Sequence, residues 1–315
     1  MSRQLKIAAA QLGPLHRSDT RRDATRRLVE LLREAHSMGA RFVVFPELAF
    51  TTFFPRWWMP DQNEVDRLYF EESIPSADTQ PLFDEARRLG MGFYIGFAEK
   101  IEEGGRTRRF NTAILVAPDG SVVGKYRKVH LPGHADHKPD AAFQHLEKKY
   151  FEVGDLGFRV WRFMNMIAGM LICNDRRWPE AFRVLALQGA ELVALGYNTP
   201  TENLHYPEPP ALRVHHHLIM AQAMAFQNAT WLVEAGKCGS EDGFRMFGHS
   251  LIVAPTGEIA AKSLTEDDEV IACHCDLDLA ADLKRTMFNF AAHRRPEHYG
   301  LIVERVGAQV TPANE

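Results

Sequence analysis

The stretch GMLICNDRRWPE, residues 169 to 180, decides how the rest of the chain is read. Met170, Leu171 and Ile172 form an apolar run of strand character that delivers Cys173 into a polar turn. Pro179 then opens a helix that reaches Leu187 and is stopped at Gly189, because proline is tolerated in a first helical turn and glycine just past the last. The pattern is strand, turn and helix with a thiol at the crest. In open α/β sheets ligands gather beyond the carboxyl ends of strands, and a thiol beside a helix N-terminus gains thiolate character from the aligned peptide dipoles. Cys173 is therefore placed to act as a nucleophile. The alternative is a buried, inert thiol, since free cysteine is among the most buried residue types, so the remainder of the chain has to supply the chemistry.

Outward from that turn, the same grammar recurs. Leu5 to Gln11 is a continuous apolar strand, and Thr20 with Asp23 makes a capping-box start to a helix whose Leu28, Leu31, Leu32 and Ala35 lie on one face, ending at Gly39. Arg41 to Phe45 is a buried strand, and Pro46-Glu47-Leu48 ends it with a carboxylate just past its carboxyl end. A second helix-and-strand unit runs from Pro81 to Leu89 and from Met91 to Glu99. Two strands then flank the turn Pro118-Asp119-Gly120. HSMGARFVVF at 36 to 45 is echoed by ALQGAELVAL at 186 to 195, and ILVAPDGSVVGK at 114 to 125 by LIVAPTGEIAAK at 251 to 262. Repeats so far apart exclude a solenoid and predict one αβ sandwich of two related sheets, each covered by helices, without a linker. It should occupy residues 1–305, with 306–315 a tail or an arm onto another subunit. Gly133 to Ala142 and Pro200 to Leu212 read as loops able to rim a pocket.

The totals narrow the partners. A chain of 315 residues, 45% hydrophobic and 25% charged, can bury a sizeable core. Its net charge of -4 and pI near 6.4 provide no basic field for nucleic acid or an acidic membrane face, so a small molecule is the expected partner. The four cysteines form neither a disulfide framework nor CxxC pairs, which fits a reducing cytoplasm. The N-terminus lacks a signal-type apolar region and no run is long enough to span a bilayer, so neither membrane nor export is expected.

A thiol needs a base, and the oxyanion it generates needs a fixed positive charge or aligned donors. FPE places Glu47 after one strand, and KYRKVHLPG places Lys128 after another. Alone, each would be a solvated surface charge. Together with Cys173 they form a set. Arg176 and Arg177, directly after the thiol turn, are suited to a substrate carboxylate, which guanidinium binds bidentately; adjacent side chains diverge, so the alternative is that at most one touches substrate while the other binds Asp175 or a neighbouring subunit.

FPEL at 45 to 48, GKYRKVHLPG at 124 to 133 and GMLICNDRRWPE at 169 to 180 resemble, in order and spacing, the three signature motifs of the nitrilase superfamily. NDRRWPE, FQHLEKKYFEVGDLGF, GYNTPT, FGHSLIVAPTGEI and FNFAAHRRPEHYGLI are similar, within it, to the N-carbamoyl-D-amino acid amidohydrolases. The resemblance implies a four-layer αββα sandwich of mixed sheets with a pseudo-two-fold repeat, and a Glu47, Lys128, Cys173 triad without metal or other cofactor. It implies a second essential carboxylate at Glu147, either moving protons or anchoring Lys128, and a homodimer or homotetramer. The implied reaction is hydrolysis of N-carbamoyl-D-amino acids to D-amino acid, CO2 and ammonia through a thioester-type intermediate. The backbone N–H of Asn174 would join Lys128 at the oxyanion, and His145, Asn198 and Thr199 would contact the carbamoyl and carboxylate groups. His130, His217 and His249 read equally well as structural histidines. The rival readings are another amidase, nitrilase or carbamoyl-amine hydrolase, a silent association subunit, and a metal module on His215-His216-His217 or Cys273-His274-Cys275. The last fits poorly, because neither run has the usual ligand spacing.

Overall fold

The computed structural model describes residues 2–141, 143–202 and 208–310. Ala142 and residues 203–207 of the two expected rim loops, and the last five residues of the expected tail, lie outside them.

The first half of the chain builds strand β1 (Gln4–Gln11), helix α1 (Arg21–Ser37), β2 (Phe42–Val44), α2 (Gln62–Tyr69), β3 (Phe70–Glu71), α3 (Gln80–Leu89), β4 (Gly92–Glu103), β5 (Arg106–Val116) and β6 (Val122–Arg127). A short α4 (Glu147–Tyr150) leads to β7 (Val160–Phe163), β8 (Met166–Ile172), α5 (Pro179–Leu187), β9 (Leu192–Tyr197), α6 (Pro210–Asn228) and β10 (Trp231–Gly236). The hairpins β11 (Cys238–Glu241) with β12 (Phe244–Phe247) and β13 (Leu251–Val253) with β14 (Ile259–Lys262) follow, and β15 (Glu269–Asp276) closes the strand list. One sheet runs β15-β1-β2-β4-β5-β6 and the other β7-β8-β9-β10-β13-β14. In each, an antiparallel edge strand precedes three parallel strands, and two antiparallel strands follow. The internal repeat read from the sequence is thus a repeat of two mixed sheets with the same six-strand order, the first sheet carrying the short β3 beside β4 as an extra strand.

Alternation along the strands explains the layers. On β1, β2 and β4, Ile7, Ala9, Phe42, Val44 and Tyr94 share one core with Met170, Ile172, Val193 and Leu195 of the other sheet, while Ala8, Ala10, Val43, Phe93 and Ile95 pack under α1 and α3. Thr20 caps α1 with the foreseen reciprocal bonds to Asp23, and Leu28, Leu31 and Leu32 are buried, each contributing about 1.5–3 kcal/mol. Phe182 and Leu185 of α5 and Ala221 and Ala225 of α6 cover the second sheet. The layers are αββα, as expected. From sequence, no element is assigned to α2 or to the aromatic-rich stretch TTFFPRWWMPD before it. In the structure Asp61 caps that helix by accepting from the N–H groups of Asn63 and Glu64. No helix among the described residues is long and apolar enough to cross a membrane.

Candidate active site

Cys173 follows β8 with φ of 45°, a left-handed value that residues with side chains rarely adopt, and starts a 3-10 turn to Arg177 before α5 opens at Pro179. The turn is held in that shape by Asp175. Its carboxylate accepts from the Ile172 N–H (3.0 Å), the Tyr126 hydroxyl (2.8 Å) and the His130 N–H (3.1 Å), with His130 Nδ1 at 2.8 Å. These bonds tie the thiol turn to the segment after β6, which carries Lys128. From the facing sheet, the Tyr94 hydroxyl donates to the Leu171 carbonyl (2.8 Å) and accepts from the Gly196 N–H (3.1 Å).

Glu47 follows β2 and is fully buried. Its Oε1 accepts from Lys128 Nζ (2.7 Å) and Asn111 Nδ2 (2.8 Å), and its Oε2 from the Asn198 N–H (2.8 Å). The Asn198 side chain donates to the Glu47 carbonyl at 2.8 Å, so the strand-end loops of β2 and β9, equivalent in the repeat, meet at the carboxylate. Two strand glycines make room for this loop. A Cβ on Gly96 would lie 2.7 Å from Glu47 Cα, and one on Gly196 would lie 2.6 Å from Glu47 N.

Lys128 Nζ is also 2.5 Å from Glu147 Oε2, and His145 Nε2 lies 3.5 Å from Glu147 Oε1. Burial alone would discharge the lysine, but Glu147 and Glu47 outweigh it and hold its pKa above the ordinary value. Burial raises both carboxylates too. At Glu147 the Lys128 and His145 groups prevail and the net shift is downward, whereas Glu47 stays above the usual carboxylate range despite Lys128. One ammonium serves two acids, and the acid left with the more basic oxygen is Glu47.

The thiol corrects one expectation. Cys173 is buried, and burial together with the Glu47 charge raises its pKa against the pull of Lys128 and Arg176, so the resting group is a thiol and not a helix-stabilised thiolate. Its Sγ is 3.8 Å from the Asn198 carbonyl, 4.0 Å from Thr199 Oγ1 and 3.8 Å from Arg176 Nη1.

Cys173 opens into a cavity of about 480 Å³ lined also by His145, Arg177, Asn198, Thr199 and Arg213, with Pro132, Gly133 and Pro200 of the two loops at its rim. The arginines part company here. Arg176 is 4% exposed, donates to the Cys173 carbonyl (3.1 Å) and to Thr199 Oγ1 (2.8 Å), and lies over the Tyr197 ring. Arg177 is exposed and donates to Asn174 Oδ1 at 3.1 Å, while Asn174 Nδ2 donates to the His130 carbonyl. Crowding by protein, and then the Arg176 charge, lower Arg177 to about 10, which leaves it a cation at neutral pH. Arg213 is occupied by Glu208 (3.0 Å) and the Pro200 carbonyl.

The structure thus brings Glu47, Lys128, Cys173 and Glu147 into one buried cluster and sets His145, Asn174, Arg176, Arg177, Asn198 and Thr199 around the cavity. The side-chain amide of Asn198 and the hydroxyl of Thr199 are turned to Glu47 and Arg176. His130 is bound to Asp175, and His217 to the His249 carbonyl at 3.1 Å. Asn111, Gly96 and Gly196 went unread in the sequence, a glycine inside an apolar strand pattern being the available signal for the last two, and Asp175, expected as a partner for one of the arginines, bonds Ile172, Tyr126 and His130 instead. Among the described residues no group of three or more His, Cys, Asp or Glu is placed to hold a metal ion.

The described arrangement has known relatives. A family model described as carbon-nitrogen hydrolase matches residues 6–285. A nitrilase of Pyrococcus abyssi (strain GE5 / Orsay) is 33% identical over 86% of this chain and 90% of its own, and an N-carbamoylputrescine amidase of Arabidopsis thaliana is 29% identical over 88% and 89%. The crystal structure of a carbon-nitrogen hydrolase from Helicobacter pylori G27 shares the fold with a TM-score of 0.82 at 24% identity, covering 96% of this chain and 99% of that one. Because residues 6–285 take in both sheets from within β1 to the end of β15, the chain belongs to the carbon-nitrogen hydrolase family of the nitrilase superfamily and is a hydrolase of C–N bonds.

Proposed function

We propose that this hydrolase cleaves N-carbamoyl amino acids that carry a free α-carboxylate, of D configuration, to the amino acid, CO2 and ammonia. The observation that carries the reading is Arg177, a guanidinium open to the cavity of the thiol, backed by the buried Arg176 charge. Placing an anionic ligand there gives a charge-assisted, bidentate partner to a group whose hydrogen-bond partner among the described residues is an asparagine oxygen. The D configuration rests on the sequence resemblance alone.

In the proposed cycle Glu47 takes the Cys173 proton as sulfur attacks the ureido carbon, which matches a thiol that is protonated at rest and a carboxylate more basic than usual. Lys128 Nζ and the Asn174 N–H stabilise the oxyanion. Glu47 returns the proton to departing ammonia, leaving sulfur bonded to the carbonyl carbon of R-NH-CO. Water, deprotonated by Glu47, displaces sulfur, which takes that proton from Glu47 and returns to the thiol. The R-NH-COOH released loses CO2 to give the amine. Glu147 holds Lys128 charged, and His145 supports Glu147.

The second reading is a carbamoyl-amine hydrolase, the activity in the name of the Arabidopsis relative. A cationic amine tail would meet Arg176, Arg177 and Arg213, with Glu208 already paired to Arg213, so the charge at the cavity favours the acid. An ammonia-release screen over N-carbamoyl D- and L-amino acids, the matching carbamoyl amines, simple amides and nitriles decides between them. Turnover of carbamoyl D-amino acids above all others is expected; equal or faster turnover of carbamoyl amines or simple amides would replace the reading.

A further inference from the structure

Beneath the two guanidinium groups lies a buried acid that the cycle above leaves idle. Glu234 on β10 has no exposed surface, and neither of its carboxylate oxygens has a hydrogen-bond partner among the described residues. Its neighbours in register are Leu195 on β9 and Leu251 on β13. The group it faces is His217 Nδ1 on α6, 3.5 Å from Oε2 and likewise without a hydrogen-bond partner. His217 Nε2 is 3.1 Å from the His249 carbonyl, which can only accept, so Nε2 carries a hydrogen and the neutral ring presents its lone pair at Nδ1. A lone pair facing a carboxylate at this separation is repulsive unless one proton lies between them.

Burial decides where that proton sits. It raises the Glu234 carboxyl to about 7 against the pull of Arg176 and Arg177, and it pushes the His217 imidazole well below its usual range, aided by the Arg176 charge. The other groups facing the pair are fixed in charge near neutrality. Arg176 and Arg177 come from the thiol turn, and Tyr197 from β9 donates its hydroxyl to the Gly248 carbonyl at 2.6 Å. His249 precedes β13, with its pKa lowered first by burial, and Cys173 lies beyond Arg176. Glu208, which also faces Arg177, is tied to Arg213.

We propose that Glu234, through a proton shared with His217, is a specificity-determining residue that sets how much of the Arg176 and Arg177 charge an anion in the cavity meets. With the proton in place the pair is neutral and both cations act in full. Once it leaves, the Glu234 carboxylate offsets one of them. That the anion is a substrate carboxylate rests on the function proposed above; the charge assignment does not.

The experiment separates the two. Iodoacetate and iodoacetamide both lose iodide to the Cys173 thiolate, so its own titration cancels in the ratio of their rates, and only the anionic reagent senses the cavity charge. Followed by mass spectrometry of the Cys173 peptide, the iodoacetate-to-iodoacetamide ratio should fall about tenfold from about pH 6 to about pH 8, the scale of one charge interaction over several Å in partly buried surroundings. Glu234→Gln should hold the ratio at its low-pH level, Glu234→Asp should keep a fall, and His217→Phe, which removes the acceptor of the acid's proton, should move the fall to lower pH. A flat wild-type ratio, a fall unchanged in Glu234→Gln, or an unmoved midpoint in His217→Phe overturns the assignment. In turnover, the KM of an N-carbamoyl amino acid should rise with pH in parallel while that of the neutral carbamoyl amine that lacks its carboxyl group stays level. If the alkylation ratio falls as stated but no carbamoyl amino acid is turned over, the charge assignment stands and the substrate reading falls.

Discussion

At the scale of single residues, the proposed cycle separates groups that react from groups that hold them. Cys173 is the one cysteine at the cavity, so Cys173→Ala should cut turnover by at least roughly a thousandfold with the fold intact. Cys238, Cys273 and Cys275 should each accept Ser with partial loss at most; equal loss at any of them, measured with matched circular dichroism, would remove Cys173 from its role. The pH profile follows from Glu47. A base must be ionised, and burial keeps this carboxylate above its usual range, so kcat/KM should fall on the acid side at a higher pH than an ordinary glutamate would give. A rate that holds level down to about pH 4, where free carboxylates titrate, would contradict Glu47 as the base. Arg177→Ala should raise KM for a carbamoyl amino acid by about tenfold or more, since a charge-assisted bond is worth about 1.5–3 kcal/mol, and leave the neutral carbamoyl amine unaffected. Arg176→Ala should instead lower Tm and kcat, because that side chain is bonded to the Cys173 carbonyl and Thr199. Reversed phenotypes would exchange the two roles.

At the scale of elements, chemistry is assembled from strand ends that correspond across the repeat. Glu47 follows β2 and Asn198 follows β9, the same position in the two sheets, and the two loops are bonded to each other. Their close approach depends on Gly196, so Gly196→Ala, which sets a methyl 2.6 Å from Glu47 N, should shift the carboxylate and reduce kcat more than it changes KM. Overpacking of this kind costs about 1–3 kcal/mol in stability. Wild-type kcat in a folded Gly196→Ala protein would show that the loop tolerates displacement. The sequence made part of this legible. Apolar runs, the Thr20 cap and the Pro179 start stand in the structure because local preference and burial agree there, and the paired motifs at 36–45 and 186–195 mark true equivalents. The role of Asn111, and the bonds Asp175 makes to Tyr126 and His130, could not be read, since they join residues distant in sequence, and an Asn in a strand or an Asp in a turn has no signature for such partners. The state of the thiol was misread because the dipole of a short turn is a local feature, while the burial and the Glu47 charge that outweigh it exist only in the folded chain.

At the scale of the whole molecule, the two sheets are stitched together at the site itself. Ile7, Phe42 and Tyr94 of one sheet and Met170, Ile172 and Leu195 of the other share a single apolar core. The Tyr94 hydroxyl crosses between the sheets to the Leu171 carbonyl and the Gly196 N–H, one residue each from the strand ends that carry Cys173 and Asn198. Loss of that hydroxyl removes two buried hydrogen bonds, each worth about 0.5–1.5 kcal/mol. Tyr94→Phe, which keeps the ring and removes only the oxygen, should therefore lower stability by a few kcal/mol on that scale and loosen both strand ends at once. Its kcat should drop along with Tm, and because one core spans both sheets, tryptophan fluorescence and far-ultraviolet circular dichroism should still report a single transition in denaturant. Separate transitions for the two probes would mean that the halves unfold independently and that the site lies on a boundary between them. A Tyr94→Phe protein with unchanged Tm and kcat would show that the shared core alone, without this bond, sets the spacing between Cys173 and Glu47.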